Sequence, residues 1–253
     1  SLVGPSKRST VPKLPAPFDP GASEEEIARG VVSYYRERLE QSADALAFLA
    51  KRGIDAAEVI ERFQLGFSDR TLGLRLPLGN RKAGSSIRTT LQKIGVYRPT
   101  AREHFVGCVT IPFFDEAGNV AGMYGRRIET RLPADAPRHL YLPGPHRGVL
   151  NLAAFKESKE MILCEAPIDA LTFFRWGFRN VTTSYGVEGF TEELLRAFVS
   201  NAIARCFIAY DRDEAGDRGA RKTAEKLMAR GIECYRVQFP KGMDANEVAL
   251  KMM

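Results

Sequence analysis

Met161-Ile162-Leu163-Cys164-Glu165 opens a segment in which short apolar runs end on acidic residues. The next run, Cys206-Phe207-Ile208-Ala209-Tyr210, ends on Asp211-Arg212-Asp213-Glu214-Ala215-Gly216-Asp217. A third, from Glu233 to Phe239, ends on Lys241-Gly242-Met243-Asp244-Ala245-Asn246-Glu247. Each run is short and β-rich, and a helical pattern follows each one. That reads as βαβ units in a parallel sheet, an α/β fold. Ligands of such sheets bind outside the carboxyl ends of the strands, where the acidic residues of this chain gather.

Carboxylates converging on one edge repel each other, and an oxygen-rich cluster of this kind suits Mg²⁺ or Mn²⁺. The plain alternative is that each acid is a helix N-cap or a first-turn charge. That alternative serves any single Asp. It serves less well a set in which Glu165, Asp211, Asp213 and Asp244 each follow a strand.

The ordered set resembles the TOPRIM domain shared by DnaG-type primases, topoisomerases and some nucleases. That family carries a Glu after its first strand, Asp-x-Asp after a later one, and usually a further acidic motif. The matching residues are Glu165-Ala166-Pro167-Ile168-Asp169, Asp211-Arg212-Asp213-Glu214-Ala215-Gly216 and Lys241-Gly242-Met243-Asp244-Ala245-Asn246-Glu247. Two positions depart from the pattern. Ala166-Pro167 stands where a primase usually has Gly, and Asp244-Ala245-Asn246 stands where the last motif often reads Asp-Pro-Asp. The second departure argues against a metal ligand at 246. The resemblance implies catalytic roles for Glu165, Asp211 and Asp213. It implies metal ligation by Glu165, Asp169, Asp211, Asp213 and Asp244, with Glu165 either a ligand or a general base.

Upstream, Ala47-Phe48-Leu49-Ala50-Lys51-Arg52-Gly53-Ile54 followed by Ile60-Glu61-Arg62-Phe63-Gln64-Leu65-Gly66-Phe67 resembles the start of the DnaG-type catalytic core. A hairpin follows later: Ile111-Pro112-Phe113, the turn Asp115-Glu116-Ala117-Gly118-Asn119, then Val120 to Ile128 with Gly125-Arg126-Arg127. It is similar to the family's hairpin, whose Arg after the last glycine faces the active cleft; Arg126 takes that position. Tyr141 to Leu152 resembles the family's connection to TOPRIM, with Arg147 as its basic residue.

Among helices, Ser23 caps one that runs to about Gln41 and buries Ile27, Val31, Tyr34, Tyr35 and Leu39. Ser42 caps another over Ala43 to Lys51 ending at Gly53, Asp55 opens a third through Phe63, and Thr191 caps a fourth from Glu192. Thr71 to Gly95 reads as a basic loop, either phosphate-contacting through Lys82 and Arg88 or simply surface. It is not a Walker A loop, because the Gly-Lys-Ser/Thr ending is absent.

The chain has 253 residues, 44% hydrophobic and 27% charged, an ordinary balance for a globular protein. No apolar run approaches a membrane span and the N-terminus lacks a signal-peptide core, so no membrane role is expected. Four scattered cysteines without a C-x-x-C pair argue against a zinc ribbon and fit a reducing cytoplasm. The net charge is +6, and it is uneven. Residues 151–253 carry 15 Lys+Arg against 15 Asp+Glu, whereas residues 70–150 carry 13 against 5. A basic stretch beside an acidic edge suits a polyanion that must also meet metal ions.

The expected organisation is a linker or disordered segment at 1–22, a smaller basic α+β subdomain of primase-core type at 23–155, and a parallel-sheet TOPRIM subdomain at 156–253. The resemblance implies template-directed synthesis of short primers from nucleotide triphosphates, a nucleotidyltransferase reaction using Mg²⁺ or Mn²⁺. The implied partners are a single-stranded DNA template, nucleotide triphosphates, and a helicase or another replication protein. Lys82, Arg88, Arg126, Arg127, Arg147 and Lys241 are the expected nucleic-acid or nucleotide contacts. A TOPRIM nuclease and a non-catalytic binding module are the alternatives. Family members begin with a zinc module and continue into further helices; neither pattern is legible here, so a core fragment or a divergent relative is expected.

Overall fold

The computed structural model describes residues 15–19, 21–129, 131, 133, 136–240 and 242–252. Most of the expected linker falls outside them, as does Lys241. Phe18, within the described part of that segment, is buried against the bare face of Gly30.

α1 (Glu24–Glu40) starts at a reciprocal capping box. The Glu26 N–H donates to Ser23 Oγ at 3.2 Å, and the Ser23 N–H donates to Glu26 Oε2 at 2.7 Å. Its buried stripe includes Ile27, Val31, Tyr34, Tyr35 and Leu39, as the spacing predicts. α2 (Ala43–Lys51) is capped by Ser42. It ends in a Schellman turn: Gly53 has φ 65°, its N–H donates to Ala50 O, and the Ile54 N–H donates to Leu49 O. α3 (Ala57–Arg62) is shorter than expected, and its N-cap is Ala56, not Asp55.

The expected basic loop is largely helical. After β1 (Gly66–Ser68) come α4 (Leu72–Arg75) and α5 (Lys82–Lys93). Ile87 and Leu91 of α5 pack one turn apart into the same core cluster as α1. A Cβ on Gly84 would lie 2.1 Å from Leu78 O, so a glycine inside this helix permits the close approach that the sequence suggested was a loop.

β2 (Cys108–Phe114) and β3 (Val120–Arg127) form the expected hairpin. Asp115 Oδ1 accepts the Asn119 N–H at 2.8 Å, and Gly118 has φ 81°. With β1 and β4 (His139–Tyr141) they make an antiparallel sheet in the order β1-β2-β3-β4. α6 (Ala154–Glu157) leads into the second sheet: β5 (Glu160–Cys164), α7 (Pro167–Arg175), β6 (Val181–Thr183), α8 (Glu192–Ser200), β7 (Arg205–Ala209), α9 (Glu214–Met228), β8 (Glu233–Arg236) and α10 (Ala245–Met252). This sheet is parallel in the order β6-β5-β7-β8.

One apolar cluster joins the two sheets. Leu49, Phe63, Val109 and Ile111 pack with Ile162, Ile168, Phe174 and Val181. The Val149 N–H donates to Phe114 O at 2.9 Å, tying the connecting segment to the hairpin. No helix among the described residues is long and apolar enough to cross a membrane.

Candidate active site

Glu165 follows β5 directly and Asp211 lies one residue past the buried Tyr210 at the end of β7, so strand register sets the two side by side. The Asp211 N–H points at Glu165 Oε2, 3.4 Å away. Asp169 sits in the first turn of α7, which opens with Pro167 and has no side-chain cap. It is 5% exposed and lies by the Asn246 backbone, which opposes its upward shift.

Burial, then the neighbouring Asp211 charge, raises the Glu165 pKa to about 7. Burial, then Asp244 and Asp213, raises that of Asp211 to about 6. Asp169 is pushed well up by burial and then by Asp244 and Asp211. Repulsion between carboxylates is therefore present, but loss of water is the larger cause.

Asp213 and Asp244 also serve as helix caps. Asp213 Oδ1 accepts the Gly216 N–H at 2.7 Å, and Asp244 Oδ1 accepts the Glu247 N–H at 2.7 Å. Each keeps Oδ2 for another partner. The glycine of Asp211-x-Asp213-x-x-Gly216 has a steric cause: a Cβ there would lie 2.3 Å from Asp211 O. The donors are all hard oxygens on one edge, two of them raised to near-neutral pKa by burial and then by neighbouring carboxylates. That chemistry fits a divalent cation. Among the described residues no three His, Cys, Asp or Glu side chains form a ready metal cage.

A cation approaches this edge from the end of α2, with a second near it on β3. Arg52, the C-cap of α2, is half-buried, lies over the Phe48 ring at 5.3 Å and donates to Asn246 Oδ1 at 3.2 Å. Burial and then the Arg126 charge lower its pKa, while Asp244 and Asp169 oppose that shift. Arg126 on β3 lies against His139.

The other expected contacts are distributed differently. Arg127 alternates to the opposite face of β3, donates to Pro137 O at 3.1 Å, and lines a separate cavity with Arg98 and Arg102. Arg88 is spent on backbone, donating to Pro77 O at 2.6 Å and Gly84 O at 2.9 Å. Lys82 is exposed at the start of α5. Both lie on α5, so the segment 71–95 is largely helix where a basic loop was expected. Arg147 is exposed, and its carbonyl accepts the Tyr185 hydroxyl. Lys241 lies outside the described residues.

Two family models match this chain: "DNA primase catalytic core, N-terminal domain" over residues 34–142, and "Toprim-like" over residues 162–249. The DNA primase of Aquifex aeolicus is 31% identical over 232 residues, covering 86% of this chain and 44% of its own. The Campylobacter jejuni DNA primase is 24% identical over 229 residues, 87% of this chain and 37% of its own. The chain is a TOPRIM-domain protein that resembles the catalytic core of DnaG-type primases. It spans less than half the length of these curated relatives. The crystal structure of the Aquifex aeolicus primase zinc-binding and RNA polymerase domains superposes with a TM-score of 0.74 at 26% identity, covering 91% of this chain and 59% of that one. A DnaG catalytic domain bound to single-stranded DNA shares the fold, with a TM-score of 0.73 at 24% identity over 90% of this chain and 76% of that one.

Two residues beside the acidic edge went unassigned in the sequence. Arg236 on β8 donates to Tyr210 O at 2.7 Å, Asp211 O at 2.8 Å and Asp217 Oδ1 at 2.9 Å, so it holds the turn that carries Asp211. Its signal was slight: the one basic residue in the run from Glu233 to Phe239. Arg52 was visible within Lys51-Arg52-Gly53, but only the Asn246 amide, reaching back to Arg52 O at 2.9 Å, reveals its proximity to the edge. The same amide donates to Thr172 Oγ1 at 2.9 Å. Asn246 is thus a buried strap between α10, α7 and α2.

Proposed function

We propose that this chain is a primase-like catalytic core that joins nucleotides on a single-stranded DNA template. The observation that carries this reading is the apposition of two opposite charge sets. Glu165, Asp169 and Asp211 crowd one strand edge, half-buried or buried, and Arg52 stands close enough to feel Asp244 and Asp169, with Arg126 near it. A nucleotide triphosphate needs both, cations for its oxygens and carboxylates for its accompanying metal.

Glu165, Asp169, Asp211, Asp213 and Asp244 would hold Mg²⁺ or Mn²⁺, which when bound stabilises charge on the attacking and leaving oxygens of an in-line displacement. The chain's own groups orient and protect. Arg236 fixes the Asp211 backbone. Asp213 and Gly216 set the helix start beside it. Arg126 and Arg147 would position phosphates, and Arg52 adds charge from the α2 end. Glu165, with a pKa of about 7, can take or give a proton at neutral pH. The four cysteines are free, as a reducing cytoplasm would keep them.

The test uses single-stranded templates, labelled nucleotide triphosphates and Mn²⁺ or Mg²⁺. Template-dependent di- and oligonucleotides are expected. Shortening of the template without extension would mark a TOPRIM nuclease, and binding without either would mark a non-catalytic module.

A further inference from the structure

The carboxyl end of β6 carries an aromatic column that the acidic residues do not use. Phe113 of β2 stacks on Tyr185 with ring centroids 4.6 Å apart. His146 stacks on Tyr185 at 4.5 Å and within 9° of parallel, leaving the tyrosine between the two. Tyr141 stands edge-on to His146 at 4.9 Å. The column runs outward: Phe113 is 0% exposed, Tyr185 is 7% exposed, and His146 is exposed.

The backbone holds the column in place. The Tyr185 hydroxyl donates to the carbonyls of Arg147 and Gly148. Gly122 makes room, since a Cβ there would lie 2.4 Å from Arg147 O. Tyr185 is therefore fixed without His146, whose imidazole takes part in no hydrogen bond among the described residues. A ring that only filled the core would be buried and apolar. This one is polar, exposed and flat, and it lines a cavity of about 490 Å³ together with Arg147 and Lys93. Tyr141, in the same cavity wall, lies close enough to Glu165 for that carboxylate to raise its phenol pKa further than burial alone does. The column thus stands between a cationic side chain and the acidic edge.

We propose that the outer face of His146 is a stacking platform for a nucleobase, with Arg147 beside it for the attached phosphate. Every base offers a π-face of the size and flatness this column presents, and such stacking tolerates any sequence. The inference rests on the primase-like reading and adds a contact to it. The base belongs either to a nucleotide triphosphate or to the single strand.

Two probes separate these sources: the triphosphate of 2-aminopurine riboside, and a single-stranded oligonucleotide containing 2-aminopurine. Stacking quenches their fluorescence. His146→Ala is expected to weaken binding roughly five- to hundredfold and relieve the quench, while His146→Phe preserves both. The salt dependence should stay as in the wild type, because no phosphate contact is removed. A loss confined to the triphosphate places the nucleotide's base on His146, and a loss confined to the oligonucleotide places a strand base there; either supports the platform. Wild-type affinity and quenching of both probes in His146→Ala would overturn it and leave the primase-like reading standing. A wild-type protein that binds neither probe would overturn both.

Discussion

On the acidic edge, charged groups sit where the backbone puts them. Glu165 and Asp211 terminate adjacent parallel strands, Asp169 lies in a first helical turn, and Asp213 and Asp244 cap helices. On the basic side, charge is carried by long side chains, Arg52 at a helix C-cap and Arg126 one residue from the end of β3. The first arrangement is set by the backbone and keeps Glu165, Asp169 and Asp211 poorly hydrated. The second can adjust. The difference implies that edge substitutions change chemistry with little effect on folding, whereas basic-side substitutions change affinity in small steps.

The largest effect expected from this contrast is in Asp211→Asn and Asp213→Asn. Each should lower primer synthesis on the order of a thousandfold or more, because metal-assisted charge stabilisation is the main contribution to phosphoryl transfer. Melting without metal should hold or rise. Asn caps a helix about as well as Asp, and at 211 the change removes a repelled, half-buried charge. A clear drop in metal-free melting temperature for both would make the carboxylates structural instead.

Asn246→Asp tests whether the edge extends to the position where the family often has an acid. The Asn246 amide is a donor to Arg52 O and Thr172 Oγ1, and Thr172 already donates its hydroxyl to Ile168 O. A carboxylate would leave both acceptors without a donor and add charge beside Asp169 and Asp244. A loss of about 2 kcal/mol by chemical denaturation is expected, with no tighter Mn²⁺ binding. Tighter metal binding at unchanged stability would make 246 a ligand position.

These two cases show what was legible. The parallel strands were, because β5, β7 and β8 are apolar runs closed by acids. So were α1 and α2, through Ser23, Ser42 and Gly53, and the hairpin, through Asp115 and Gly118. β4 and β6 were not: His139–Tyr141 and Val181–Thr183 are three residues each, too short for an alternation to show. α5 was hidden by Gly79 and Gly84, and the use of Gly84, room for the Leu78 carbonyl, shows only once the chain is folded. The acidic positions could be read because strand ends fix them. The partners Arg52, Arg236 and Asn246 could not, because their contacts join residues far apart in the chain.

On the basic side the expected change is smaller. Arg126→Ala should weaken single-stranded DNA or nucleotide binding roughly tenfold and reduce the slope of log affinity against log salt by about 0.7. Arg127→Ala, on the other face of β3, should leave nucleotide triphosphate binding unchanged. Equal effects of the two on nucleotide binding would mean that strand alternation does not separate their roles.

The smallest effect concerns protons at Glu165. Its carboxyl is raised from an ordinary 4.5 to about 7, first by burial and then by Asp211. Between those values the folded chain keeps a proton that the unfolded chain has lost. Stability therefore falls as pH rises through this window, and the penalty is complete above it. Allowing for the solvent that still reaches this half-buried group, the cost at pH 8 is about 1 kcal/mol. Glu165→Gln keeps the shape and can still accept from the Asp211 N–H, but it carries no charge. In metal-free buffer it should match the wild type near pH 4 and exceed it by about that amount at pH 8. Asp211 and Asp169 are raised as well, so the variant should flatten only part of the pH dependence. Mn²⁺ should narrow the gap at pH 8, since it compensates the wild-type carboxylate and has one oxygen ligand fewer in the variant. Denaturation curves at both pH values, with and without Mn²⁺, measure it. A variant that parallels the wild type from pH 4 to pH 8 would show that Glu165 is already ionised in the folded, metal-free chain.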